Sequence, residues 1–96
     1  MIRSHVHVNP GRERLRGALY RAQGGRCGLC GARLRNMLAV TLDHVVPRAL
    51  GGSFHGNLLA AHLQCNVKKA DRAPTGCELI WLAAVNAIIP NPERLA

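Results

Sequence analysis

Leu42-Asp43-His44-Val45-Val46-Pro47-Arg48 is the stretch that decides the fold. A carboxylate and an imidazole stand side by side at the end of an apolar run, and a proline closes it. Downstream come Gly51-Gly52-Ser53, then Asn57-Leu58, then His62-Leu63-Gln64-Cys65-Asn66-Val67-Lys68-Lys69. Upstream lies a Cys-x-x-Cys pair, Cys27 and Cys30, the second of them 13 residues before Asp43.

Residues Met37 to Val46 are rich in Leu, Val and Thr and read as a strand, which Pro47 terminates because it has no N–H to pair. Gly51 to Gly56 reads as a loop, and Asn57 to Ala61 as a short returning strand. From Leu63 to about Arg72 the polarity rises, which predicts a short helix stopped before Pro74. Thr75-Gly76-Cys77-Glu78 fits the Thr-x-x-Glu capping box and starts a helix over Gly76 to Ile88. That helix is apolar nearly all round, so it wants cover on more than one side. The N-terminal helix supplies one cover; a second copy or a partner protein would supply the other. Cys77 fits no ligand spacing and reads as a buried or free thiol.

Toward the N-terminus, Asn9-Pro10 is a helix-start signal and Gly24-Gly25 a stop, giving a helix over about 10–23. Leu15, Leu19 and Ala22 form its apolar stripe, and Arg12, Arg14, Arg16 and Arg21 fill much of the rest. That basic face suits a phosphate backbone or plain solvent. Residues 1–8 alternate loosely, as a short edge strand or a frayed arm; His5 and His7 read as solvated there.

With 96 residues the chain is expected to form one domain, 1–96, whose core at 25–71 carries the chemistry. A domain this small often needs a staple. The net charge is +8, and eleven of the 13 cations are arginines. Such a balance favours a polyanion, nucleic acid before an anionic membrane. No apolar run reaches the roughly 20 residues a bilayer requires, and the first ten residues are polar rather than a secretory leader. The expected location is cytoplasmic, where thiols stay reduced and Cys-x-x-Cys reads as a metal site.

Cys27, Cys30, His62 and Cys65 supply four N/S donors, which suits tetrahedral Zn2+. A filled shell makes the ion structural rather than catalytic. A redox pair of the thioredoxin type would need a larger α/β context that this chain lacks.

Hydrolysis of a phosphodiester needs a base for water, a cation for the phosphate and a frame to hold both. His44 has the intrinsic pKa of a base at neutral pH. Asp43 is a hard oxygen ligand of the kind Mg2+ prefers, and the amide oxygen of Asn66 is a second. Asn57 is placed to hydrogen-bond the backbone around His44, and Arg48, Lys68 and Lys69 lie close enough in sequence to meet phosphates. In a regular strand Asp43 and His44 face opposite ways, so one site takes both only if the strand is irregular there.

Taken in order, Cys27-x-x-Cys30, Asp43-His44-Val45-Val46-Pro47, Gly51-Gly52-Ser53, Asn57-Leu58 and Cys65-Asn66-x-x-Lys69 resemble the HNH endonucleases. The resemblance covers about residues 25–71. It implies an α+β fold of the ββα-metal (His-Me finger) kind with a structural zinc, here flanked by N- and C-terminal helices. It further implies His44 as general base, Asp43 and Asn66 as ligands of catalytic Mg2+ or Mn2+, Asn57 as support of the loop, and products with 5′-phosphate and 3′-hydroxyl ends. The family often has histidine where Asn66 stands, and cysteine where His62 stands; both replacements keep a competent ligand. The small size is similar to phage-type nucleases of the family.

Three functions compete. A metal-dependent endonuclease acting on DNA, duplex by expectation, needs His44, Asp43 and Asn66 together. A non-catalytic zinc-bearing nucleic-acid-binding module does not need them. A small interaction subunit would rest on the C-terminal helix. Only Tyr20, Phe54 and Trp81 are aromatic, too few for a stacking platform for single strands.

Overall fold

The computed structural model describes residues 10–36 and 39–89. The N-terminal arm with His5 and His7, the expected strand start at Met37, and Pro90 and Pro92 lie outside the described residues. Helix α1 spans Pro10–Ala22, strand β1 Val40–His44, strand β2 Leu58–His62, helix α2 Leu63–Lys69 and helix α3 Gly76–Ile88. The class is α+β, as expected: an antiparallel hairpin followed directly by a helix, with one helix on each flank.

The strands pair with Asp43 opposite Leu59 and His44 opposite Leu58. All of Leu58, Leu59, Ala60 and Ala61 are buried, so β2 is covered on both faces. Leu15 and Leu19 of α1, Leu34, Val40, Val45 and Val85 of α3 complete the core. This burial is what turns a two-stranded hairpin, marginal in water, into a stable platform.

Two elements end earlier than the sequence suggests. β1 stops at His44 rather than Val46, because the Asn57 side chain takes over the Val46 backbone: Val46 N–H donates to Asn57 Oδ1 at 2.9 Å and Asn57 Nδ2 donates to Val46 O at 2.9 Å. α2 stops at Lys69 rather than Arg72. Ala70 closes it at φ 47°, a conformation that costs an L residue energy and breaks the helical path. The chain then turns, and Arg72 reaches Glu78 of α3 at 2.9 Å.

α3 begins as the sequence indicates. Thr75 Oγ1 accepts from Glu78 N–H at 3.1 Å while Glu78 Oε1 accepts from Thr75 N–H at 3.0 Å. Trp81, Leu82, Val85 and Ile89 face the core. Leu79, Ile80 and Ile88 stay exposed, so the described residues cover α3 on one side only. Cys77 is an exposed free thiol. No described helix is long and apolar enough to cross a membrane.

Gln23, just past α1, is buried and does a strand's work. Its Oε1 accepts from Ala60 N–H at 2.7 Å and its Nε2 donates to Ala60 O at 2.9 Å and Arg26 O at 2.8 Å. Both polar atoms of the Ala60 backbone, on the free edge of β2, are thereby paired by one side chain. Gln23→Ala strands a buried amide of β2 and is expected to cost about 1–3 kcal/mol of stability, read as a lower urea midpoint; an unchanged midpoint would mean water replaces the amide.

Candidate active site and metal centre

The Cys-x-x-Cys segment folds as a tight knuckle lying on β2. Cys27 N–H donates to Ala32 O at 2.8 Å, and Gly28 N–H to Ala60 O at 2.8 Å. Gly31 takes φ 77°, which glycine adopts without strain. Gly28 is needed for a different reason: a Cβ there would lie 2.8 Å from Leu59 Cβ, so only glycine lets the knuckle seat against the strand.

This seating brings the first cysteine pair to the β2–α2 junction. His62 ends β2 and caps α2; Cys65 lies in the first turn of α2. The ligand atoms of Cys27, Cys30, His62 and Cys65 all lie within 4.8 Å of one another. His62 Nδ1 is 3.5 Å from Cys30 Sγ and 3.7 Å from Cys65 Sγ, near the ~3.8 Å edge of a zinc–thiolate tetrahedron. On the far side of the ring, His62 Nε2 sits 3.1 Å from Arg33 O. Donation there fixes the tautomer and leaves Nδ1 free to ligate.

The thiols carry the electrostatic mark of a site built for a cation. Burial pushes the Cys27 thiol up, but N–H groups of His62, Cys30 and Leu29 converge on its sulfur and bring it down to about 7. Burial and the neighbouring Cys30 and Cys27 push Cys65 up to about 12. Without a cation, then, one thiol ionises and its neighbour resists; a divalent ion lets all of them bind as thiolates. The donor set and its spacing fit Zn2+.

The second cluster lies at the other end of the hairpin. Leu42, Asp43, His44, Pro47, Arg48, Asn66, Ala70 and Asp71 line one cleft of about 230 Å³. The two neighbours on β1 do diverge: Asp43 turns toward α2, where Lys69 Nζ lies 3.5 Å from its Oδ1, and the His44 ring packs edge-on to Phe54 at 6.3 Å. Both residues nevertheless line the one cleft, at the end of β1.

Asp43 is fully buried, and its Oδ2 has no hydrogen-bond partner. Burial raises its pKa above the usual carboxylate value, with Lys69 pulling the other way. Asn66 Nδ2 donates to Leu42 O at 3.3 Å and approaches Thr41 Oγ1 at 3.5 Å, which leaves its amide oxygen for the cleft. Asp43, with its orphaned carboxylate oxygen, and Asn66, with its amide, line one polar cleft, and such oxygen donors fit a hard divalent cation. His44 is held below its ordinary pKa by burial first, then by Arg48, Arg12 and Lys69.

Asn57 is buried and binds the loop after His44 from inside. Besides its two bonds to Val46, Nδ2 donates to Ser53 O at 2.8 Å, and its main-chain carbonyl accepts from Val45 N–H at 2.8 Å. Gly52 completes the loop; a Cβ there would overlap the Val46 carbonyl. Arg48 sits exposed on a single 3₁₀ turn at the cleft rim, and Lys68 is exposed on α2. Lys69 differs from expectation. Its side chain is 1 % exposed and its Nζ donates to His44 O at 2.9 Å, so it does not present its charge to a phosphate.

Three neighbours of the cleft escape sequence reasoning. Phe54 touches both His44 and His55, with ring centroids 5.4 Å apart for the second pair. Arg12 of α1 stacks over Phe54 at 5.0 Å, which brings one arginine of the basic helix toward His44. Asp71 lines the cleft from the turn after α2. No spacing rule marks them, since each is brought in by tertiary packing. Of the other helix cations, Arg16 pairs with Glu13 at 2.6 Å, while Arg14 and Arg21 are exposed.

Purified protein is expected to carry one zinc per chain. Stripping the ion with a strong chelator should abolish the cooperative unfolding transition, since such sites contribute on the order of 10 kcal/mol. A chain without zinc that still melts cooperatively would remove the metal from this account.

Residues 27–72 match the sequence model of the HNH endonuclease family. No curated protein matches the chain. The matched segment starts at the first ligand of the Cys3His cluster and ends just past the cleft, so it holds both clusters, while α1 and α3 lie outside it. Through that segment, somewhat under half of its length, the chain is similar to the HNH endonuclease family.

Proposed function

We propose that the protein is a metal-dependent endonuclease that hydrolyses phosphodiester bonds of DNA, with residues 1–96 acting as one nuclease domain. The observation that carries the reading is the shared cleft: His44, Asp43 and Asn66 line one opening, and Asp43 Oδ2 has no hydrogen-bond partner.

Asp43 and Asn66 would hold Mg2+ or Mn2+, whose charge would offset that building on the phosphate and the leaving oxygen. His44 takes the proton of the attacking water at its ring nitrogen. The new bond forms between water oxygen and phosphorus, and the bond from phosphorus to the 3′ oxygen breaks; the 3′ oxygen leaves with the bonding pair and takes a proton from solvent water, giving 5′-phosphate and 3′-hydroxyl ends. Asn57 keeps the His44 loop from drifting. Arg48 and Lys68, with Arg12 stacked on Phe54, bind backbone phosphates of a duplex. Zn2+ on Cys27, Cys30, His62 and Cys65 holds the frame. The exposed Leu79, Ile80 and Ile88 face of α3 is assigned to a second copy or a partner protein.

Supercoiled plasmid in low salt tests the reading. The zinc-loaded protein should nick or cut it with Mg2+ or Mn2+ and stop in EDTA, and His44→Ala should lose roughly 100- to 10,000-fold in rate. DNA binding without cleavage would favour the binding module, and equal cleavage by both proteins would remove His44 as base.

The pH profile follows from the same group. The base works when neutral, and its pKa is lowered, so the neutral form persists further into acid. A cation bound beside it acts in the same direction. The acid limb of the rate profile is therefore expected below about pH 6.5, the unperturbed histidine value. A limb centred above that value would contradict the environment described for His44.

A further inference from the structure

Among the described residues, Lys69 is the cation near the cleft that points inward. It sits at the C-terminal end of α2, and its side chain is almost wholly enclosed. A buried ammonium is costly unless it is paired and hydrogen-bonded. Here both conditions are met by two consecutive residues of β1: Nζ donates to the His44 carbonyl at 2.9 Å and lies 3.5 Å from Asp43 Oδ1. Beyond His44 the next peptides are held by Asn57, through Val45 N–H and both polar atoms of the Val46 backbone. The turn in β1 is thus gripped twice, by an amide from the loop side and by an ammonium from the helix side. The grip also divides the Asp43 carboxylate. Oδ1 faces Lys69, and Oδ2 is buried without a hydrogen-bond partner.

We infer that Lys69 is a positioning residue: it locks the His44 peptide and fixes the orientation of the Asp43 carboxylate beside the cleft, and it does not contact DNA. The inference rests on reading His44 and Asp43 as base and ligand, but its first test does not. A phosphate contact and a buried clamp make opposite demands. A contact acts on affinity and salt dependence, since each neutralised phosphate adds about 0.9 to the salt slope on duplex DNA. A clamp acts on turnover, because small misplacement of reacting groups is expensive after the substrate is bound.

The test compares Lys69→Met, which keeps the length and bulk of the stem but loses charge and donors, with Lys69→Arg, which keeps both. In the free zinc-loaded protein, NMR of the His44 ring and of the His44 and Val45 amides should shift in the Met variant, whether or not the protein cuts DNA. In single-turnover plasmid nicking at saturating protein, the Met variant should lose at least about tenfold in rate, with DNA affinity and salt slope unchanged, and the Arg variant should recover part of the loss. Unmoved His44 resonances would overturn the inference. So would a fall in affinity and salt slope at constant turnover, which is the signature of a phosphate contact. If the Met variant fails to fold, Asp43→Asn combined with Lys69→Met removes both buried charges, and the His44 resonances of that double variant decide in the same way. A wild-type protein that never cuts would instead sink the nuclease reading while leaving the resonance test standing.

Discussion

Helix α2 is seven residues long, and a helix of that length does not persist in water by itself. It is held by side chains on both of its inner edges. Cys65 looks to the knuckle, where Cys27, Cys30 and His62 meet it. Lys69, one turn on, looks to the end of β1. Between them Asn66 is turned to the cleft. The Cys3His cluster therefore does more than tie a loop to a strand. It fixes the start of the element that carries one wall of the candidate active site, and the ammonium at the other end fixes the angle of that wall.

The flanking helices complete the frame without belonging to the family segment. α1 supplies Leu15 and Leu19 to the core and Gln23 to the open edge of β2. It also sends Arg12 over Phe54, beside His44. α3 secures the turn after α2 through Arg72 and Glu78, and its Asn86 holds the loop by donating to Gly56 O at 2.9 Å. The hairpin and helix would expose most of their apolar faces without this cover.

Local chemistry was readable in the sequence; placement was not. The capping box at Thr75 and the metal-ligand spacing of Cys27, Cys30, His62 and Cys65 each depend on neighbours a few residues away or on ligand geometry. They emerge in the structure much as the pattern implies. Lys69 shows the opposite case. A lysine in a basic tail of a short helix reads as a surface cation, and only the early stop of α2 and the direction of its last turn bury it. Gln23 looks like a helix-end residue of no consequence until β2 is known to need an edge partner. Phe54 and Arg12, 42 positions apart, meet only after α1 packs across the hairpin.

Both clusters meet on α2, with Cys65 and Asn66 adjacent in the chain and facing different ions on the proposed reading. That adjacency ties the two sites together. On the proposed function, any shift of α2 at its Cys65 end would carry the Asn66 amide with it, so loss of zinc would disturb the catalytic cleft as well as the frame.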